Sequence, residues 1–144
     1  MTIYLATDHA GFELKERVKI FLAKSGQKVE DLGAFKYDEG DDYPDYIKLV
    51  AGKISNDPRD KAIIFGGSGQ GEAMVANRYK NVRATVLYKF DKEIVKLSRE
   101  HNDANVLSLG ARFLSPRKAI KAVELWLATP FSNEDRHSRR IAKF

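Results

Sequence analysis

Ile63-Ile64-Phe65 runs straight into Gly66-Gly67-Ser68-Gly69-Gln70-Gly71, and Glu72 follows at once. An apolar run, then four glycines within six residues, then the helix-forming Ala73-Met74-Val75-Ala76, reads as strand, loop and helix. Glycine tolerates positive φ and carries no Cβ, so successive backbone N–H groups can converge on one small anion. The helix behind the loop adds its positive end. Such a loop binds an oxyanion, and a glutamate directly behind it adds a group that can move a proton. The helix end favours the carboxylate form, so Glu72 is expected to be ionised and ready to accept one. The plainer alternative is a first-turn carboxylate with no other task.

Other segments could share that chemistry. Asp8-His9-Ala10-Gly11 follows the apolar Ile3-Tyr4-Leu5-Ala6-Thr7. Asp8 suits a helix N-cap, and His9 is otherwise a surface histidine. Asp38-Glu39-Gly40-Asp41-Asp42 is an acidic loop, with its first three residues read as a solvated turn. Arg99-Glu100-His101-Asn102-Asp103 closes a helix, where His101 is well placed against the helix dipole whether or not it is catalytic. Near the end of the chain, Arg136 and Arg140 stand four apart and share a helix face, with Arg139 flanking them. Paired guanidinium groups suit a phosphate monoester; the alternative is a solvated basic tail. Arg112, just past the last strand, is a third candidate anion ligand. The glycine spacing also suggests a dinucleotide loop. However, it follows the third strand, and Leu87-Tyr88-Lys89 offers no acid for a ribose.

The elements that must position these groups alternate. Strands are predicted over residues 3–7, 28–32, 62–65, 83–88 and 106–109. Helices are predicted over 12–22, 46–54, 71–78, 92–100 and 116–127, with a short last helix over 133–142. Leu14, Val18, Phe21 and Leu22 mark the first helix by their spacing, and Pro116 marks a helix start after Ser115. The pattern is an α/β fold: a Rossmann-like, doubly wound three-layer sandwich with a five-stranded parallel sheet and a C-terminal helix. In such a sheet, ligands bind at the carboxyl ends of the strands. Asp8 and the glycine loop lie at that edge. His101 ends a helix and precedes the fifth strand, so it lies at the amino edge. It can reach the same ligand only from a second subunit.

Composition bounds the rest. The chain has 144 residues, 43% hydrophobic and 31% charged, which is one domain spanning residues 1–144 with room for a core. A net charge of +5 and a pI near 9.4 fit either a lysine-rich surface or a site for phosphorylated metabolites, and no nucleic-acid motif is present. No apolar run is long enough to span a bilayer, and the N-terminus has no secretory pattern. The absence of cysteine excludes disulfides, thiolate nucleophiles and Cys-ligated zinc, and fits a cytoplasmic protein. Three scattered histidines show no metal-ligand spacing, so neither a metal nor another cofactor is expected.

Taken together the motifs resemble the ribose-5-phosphate isomerase B family, which includes galactose-6-phosphate isomerase subunits. The resemblance runs through Ala6-Thr7-Asp8-His9-Ala10-Gly11-Phe12-Glu13-Leu14-Lys15, Asp42-Tyr43-Pro44 and Gly67-Ser68-Gly69-Gln70-Gly71. It continues through Ala76-Asn77-Arg78, the stretch from Arg99 to Val106, and Arg136-His137-Ser138-Arg139-Arg140-Ile141. Many members carry a cysteine directly before the glycine loop; here that residue is Gly66. The chain resembles instead the branch that uses a glutamate after the loop, which is Glu72.

The resemblance implies interconversion of ribose 5-phosphate and ribulose 5-phosphate through an enediolate. Glu72 would be the base, with Ser68 relaying a proton between the sugar oxygens and Gly67, Gly69 and Gly71 in the oxyanion loop. His101, helped by Asp8, would open the ring, and Asn102 would bind the enediolate. Arg112, Arg136, Arg140, His9 and His137 would take the phosphate, and Tyr43 would line the pocket. A homodimer with shared sites, or a pair of such dimers, is expected. Two rival readings stay open here. One is an isomerase of a hexose or tetrose phosphate. The other is a non-catalytic sugar-phosphate or nucleotide-binding module.

Overall fold

Alternating apolar residues build the sheet and decide which helices cover it. In the computed structural model, which describes residues 1–144, β1 is Ile3–Thr7, followed by a 3₁₀ turn, His9–Gly11, and α1, Phe12–Lys24. Then come β2 (Val29–Asp31), α2 (Tyr43–Asn56), β3 (Lys61–Gly66) and α3 (Gln70–Ala76). The chain continues through β4 (Ala84–Leu87), α4 (Lys92–Glu100), β5 (Val106–Gly110), α5 (Pro116–Ala128) and α6 (Asp135–Ile141). All five strands are parallel, in the order β2-β1-β3-β5-β4. No helix is long and apolar enough to cross a membrane.

Successive strand residues face opposite sides. Ile3, Leu5, Ile63, Phe65, Leu107 and Leu109 pack with Leu14 and Val18 of α1, Val95 of α4 and Trp126 of α5. Tyr4, Ala6, Ala62, Ile64 and Val106 face the other way, onto Ile47, Val50 and Ile54 of α2 and Ala76 of α3. This gives the three-layer sandwich expected from the sequence. The second helix begins three residues earlier than the spacing suggested, because Pro44 fits its first turn without losing a needed N–H.

The chain leaves β1 toward β2 on one side and returns to β3 on the other. The carboxyl ends of β1 and β3 therefore form the crevice where such sheets bind ligands. The long connection from β2 to α2 is tied down beside it. Lys15 of α1 is fully buried, and its Nζ donates to both oxygens of Asp31 at 2.8 Å and to the Ala34 carbonyl at 2.7 Å. Burial alone would raise the Asp31 pKa, but hydrogen bonds from Lys15 and Lys19 hold it below the ordinary value.

Candidate active site

Thr7 pairs with Phe65 across the β1–β3 ladder, and its hydroxyl donates to the Phe65 carbonyl at 3.0 Å. Asp8 and Gly66 thus leave the sheet side by side. Asp8 is buried and caps the 3₁₀ turn by accepting from the Ala10 N–H at 3.0 Å. Burial raises its pKa; the cap bond and His9 pull it down, and Asp41 pushes it up again. His9 stands at the rim, its Nδ1 2.7 Å from Asp41 Oδ1 and 3.9 Å from Asp8 Oδ2. The potential ligand atoms of Asp8, His9 and Asp41 lie within 4.8 Å of one another, but the His9 nitrogen facing them is already hydrogen-bonded to Asp41.

Glu72 reaches back over the end of β3. Its carboxylate fills the space that a side chain on Gly66 would need, so a Cβ there would overlap it. Gly66 makes room for the carboxylate. The Glu72 side chain is buried, in the first turn of α3. Desolvation raises the Glu72 pKa above the ordinary carboxyl value; a hydrogen bond from its own backbone N–H, in the first turn of α3, opposes it, and the Asp8 charge adds a further upward push. The expectation of a carboxylate favoured by its helix end is thereby corrected in direction. A raised pKa makes Glu72 a stronger base once it is deprotonated.

Around this carboxylate the loop exposes donors. The N–H groups of Gly67, Ser68, Gly69 and Gly71 donate to no acceptor in the chain, whereas Gln70 N–H donates to Ser68 Oγ at 3.3 Å. Gly69 adopts φ 78°, which turns the backbone into α3, and its carbonyl is held from behind by the Ser108 hydroxyl at 2.6 Å. Tyr43, the first residue of α2, brings its hydroxyl so close to Gly71 that a Cβ there would meet it at 2.5 Å. Arg112 follows β5, and its guanidinium lies over Gly67, 3.3 Å from where a Cβ would sit. Asp8, His9, Tyr43, Gly67, Ser68, Gly69, Gly71, Glu72 and Arg112 therefore meet at one edge.

The remaining candidates lie at the other edge. His101 caps the C-terminus of α4, its N–H donating to the Leu97 carbonyl at 3.0 Å. Its ring stacks on that of His137, with centroids 4.2 Å apart and planes 16° from parallel. His137 is buried rather than presented at the surface. Desolvation, reinforced by the positive potential of His101, lowers its pKa. Asn102, Arg136 and Arg140 are exposed beside this pair, and Arg136 Nε donates to Glu134 at 2.7 Å. The five residues of β5 alone separate the two edges by roughly 17 Å, at about 3.3 Å per residue. One chain does not bring Glu72 and His101 together.

Two contributors escaped the sequence reading. Gly66 stands out in the sequence only as the residue at the family's cysteine position, yet it provides the seat for Glu72. Asp41 was counted within an acidic turn, yet it turns inward onto His9, while Asp38, Glu39 and Gly40 are exposed as that reading expected. The only available signal for Asp41 was its place directly before the Asp42-Tyr43-Pro44 motif.

The family model for ribose/galactose isomerases matches residues 3–144. The chain belongs to the ribose/galactose isomerase family. Among curated relatives of this family, ribose-5-phosphate isomerase B of Mycolicibacterium paratuberculosis is 40% identical over 141 residues, which are 98% of this chain and 87% of that relative. Among solved structures, ribose-5-phosphate isomerase B of Mycoplasma genitalium with bound ribulose 5-phosphate superposes with a TM-score of 0.93 at 38% identity, covering 99% of this chain and 92% of that one. The Thermotoga maritima ribose 5-phosphate isomerase superposes with a TM-score of 0.91 at 42% identity, covering 99% and 95%.

Proposed function

We propose that the chain is an aldose–ketose isomerase interconverting ribose 5-phosphate and ribulose 5-phosphate, and that two chains complete each site. The observation that carries this reading is the buried Glu72 carboxylate, seated on Gly66 beside four unpartnered backbone N–H groups. A base and an oxyanion cradle are what an enediolate needs.

In this mechanism His101 of one subunit, with Asp8 of the other, opens the furanose ring. Glu72 then takes the proton from C2 of the open aldose, and electron density moves onto O1. The N–H groups of Gly67, Ser68, Gly69 and Gly71 stabilise that oxygen, with Asn102 on the enediolate. Glu72 returns the proton to C1, and Ser68 carries the O2 proton to O1, leaving the ketose. Arg112, Arg136, Arg140 and His9 hold the phosphate, His137 backs His101, and Tyr43 lines the sugar. The relatives named above, one of them with ribulose 5-phosphate bound, support this substrate. The separation of Glu72 from His101 supports a homodimer with shared sites. The reading implies a cytoplasmic enzyme that needs no metal or cofactor.

The test is ketose formation from ribose 5-phosphate, compared by kcat/KM across tetrose, pentose and hexose phosphates, with and without EDTA. The proposal expects the highest value for ribose 5-phosphate and no loss with EDTA. A higher value for another sugar phosphate would change the substrate. No turnover of any of them would return the chain to a binding module.

A further inference from the structure

Asp41 has no part in the chemistry above, yet it is the least exposed residue of the acidic turn, 38–42. The turn bends at Asp38, whose carbonyl accepts from the Asp41 N–H at 3.1 Å and whose carboxylate accepts from Gly40 N–H at 3.0 Å. The next step drives the Asp41 side chain inward, leaving it 7% exposed. Its Oδ1 accepts two bonds from one residue, the backbone N–H of His9 at 2.9 Å and the ring Nδ1 at 2.7 Å. Oδ2 is buried without a hydrogen-bond partner. Tyr46 of α2 also lies near this carboxylate, whose charge helps to raise the tyrosine's pKa. A buried carboxylate that accepts twice from one half-buried histidine is placed to control that histidine.

We propose that Asp41 is a positioning residue for His9, fixing the ring with Nδ1–H toward the carboxylate so that Nε2–H is presented to the phosphate of the substrate. The inference rests on the phosphate role proposed above for His9. The neutral ring has one N–H, and the short bond to Asp41 places it on Nδ1. A dianionic phosphate then requires a second proton, on Nε2, and the negative charge beside Nδ1 favours it.

Every charged neighbour bears on that balance. Asp41 raises the His9 pKa most, burial opposes it, Asp8 raises it further, and Arg112 from the end of β5 lowers it. Tyr37 contributes a ring edge at 6.2 Å and no charge at neutral pH. The net direction is upward. The imidazolium, and the phosphate affinity it supplies, is therefore fully present below the ordinary histidine value and lost as pH rises through the raised one. The phosphate loses its second proton near pH ~6. The two partners are matched between that point and the His9 midpoint.

Asp41→Asn removes the charge and keeps the shape. With ribose 5-phosphate, KM should rise about tenfold near pH ~7.5, the low end for a hydrogen bond to a charged group. kcat should stay within about twofold, because phosphate contacts are alike in ground and transition states. The rise should shrink toward pH ~6, where either ring is protonated. In a His9→Gln background the same substitution should change nothing further, which separates control of His9 from a structural role. The His9 ring titration, followed by NMR without substrate, should move to lower pH in Asp41→Asn. An unmoved His9 midpoint overturns the proposal whether or not the isomerase reading stands. So does an equal KM rise with His9 already removed. A moved midpoint with inactive wild-type protein would fault the function alone.

Discussion

Gly66→Ala is the smallest change that tests where the base sits. The new methyl would occupy the volume held by the Glu72 carboxylate, against the Cα of residue 66. Gly66 lies in β3 and is not among the glycines at positive φ, so alanine brings no backbone strain. The cost falls on Glu72, which must swing away from its seat by about the radius of a methyl group. Misplacing a reacting group by ~1 Å costs about 10²-fold in rate, and losing a proton-transfer group altogether costs about 10²–10⁴-fold. kcat should therefore fall at least ~10²-fold. Overpacking of this kind costs about 1–3 kcal/mol, so the melting temperature should drop by several degrees while the fold survives. The assay is ribose 5-phosphate turnover beside thermal unfolding, repeated in a Glu72→Ala background. There the methyl has nothing to displace, and its effect on kcat should vanish. A folded Gly66→Ala protein with near-normal kcat would refute the reasoning, because Glu72 could then act from elsewhere.

Further predictions concern the phosphate and the proton. Arg136→Ala and Arg140→Ala should each raise KM about tenfold or more with little change in kcat, as expected for charge-assisted bonds kept through the reaction. Unchanged KM in both would return α6 to a solvated surface. The acid limb of kcat/KM should lie above the ordinary carboxyl value of 4.5, because burial and Asp8 raise the Glu72 pKa and only its deprotonated form is a base. That limb should disappear from the residual rate of Glu72→Gln. A limb unchanged by that substitution would assign the titration to another group.

The sequence made the fold legible because strand alternation and helix spacing point the same way in every segment. Tyr4 and Leu5, for example, take opposite faces of the sheet as their period requires. The carboxyl-edge candidates were legible for a related reason. Topology sends every βα turn to one edge, so Asp8 and Glu72 had to meet. Glu72's pKa could not be read this way, because the helix-end effect is visible in sequence while burial beneath the glycine loop is not. Gly66 and Asp41 were hidden for similar reasons. The seat on Gly66 depends on where a side chain six residues later folds back, and the Asp41–His9 pair joins residues 32 apart through a loop without periodicity.

The claim that two chains share each site is tested by mixing two inactive proteins, Glu72→Gln and His101→Ala, under conditions that allow subunit exchange. In a two-fold dimer, each hybrid holds one site with both lesions and one with none. Equal mixing should restore about a quarter of the wild-type sites. The account predicts that recovery, rising with time as hybrids form. Demonstrated hybrids with no activity above the parents would contradict it, and would place Glu72 and His101 in one site within one chain.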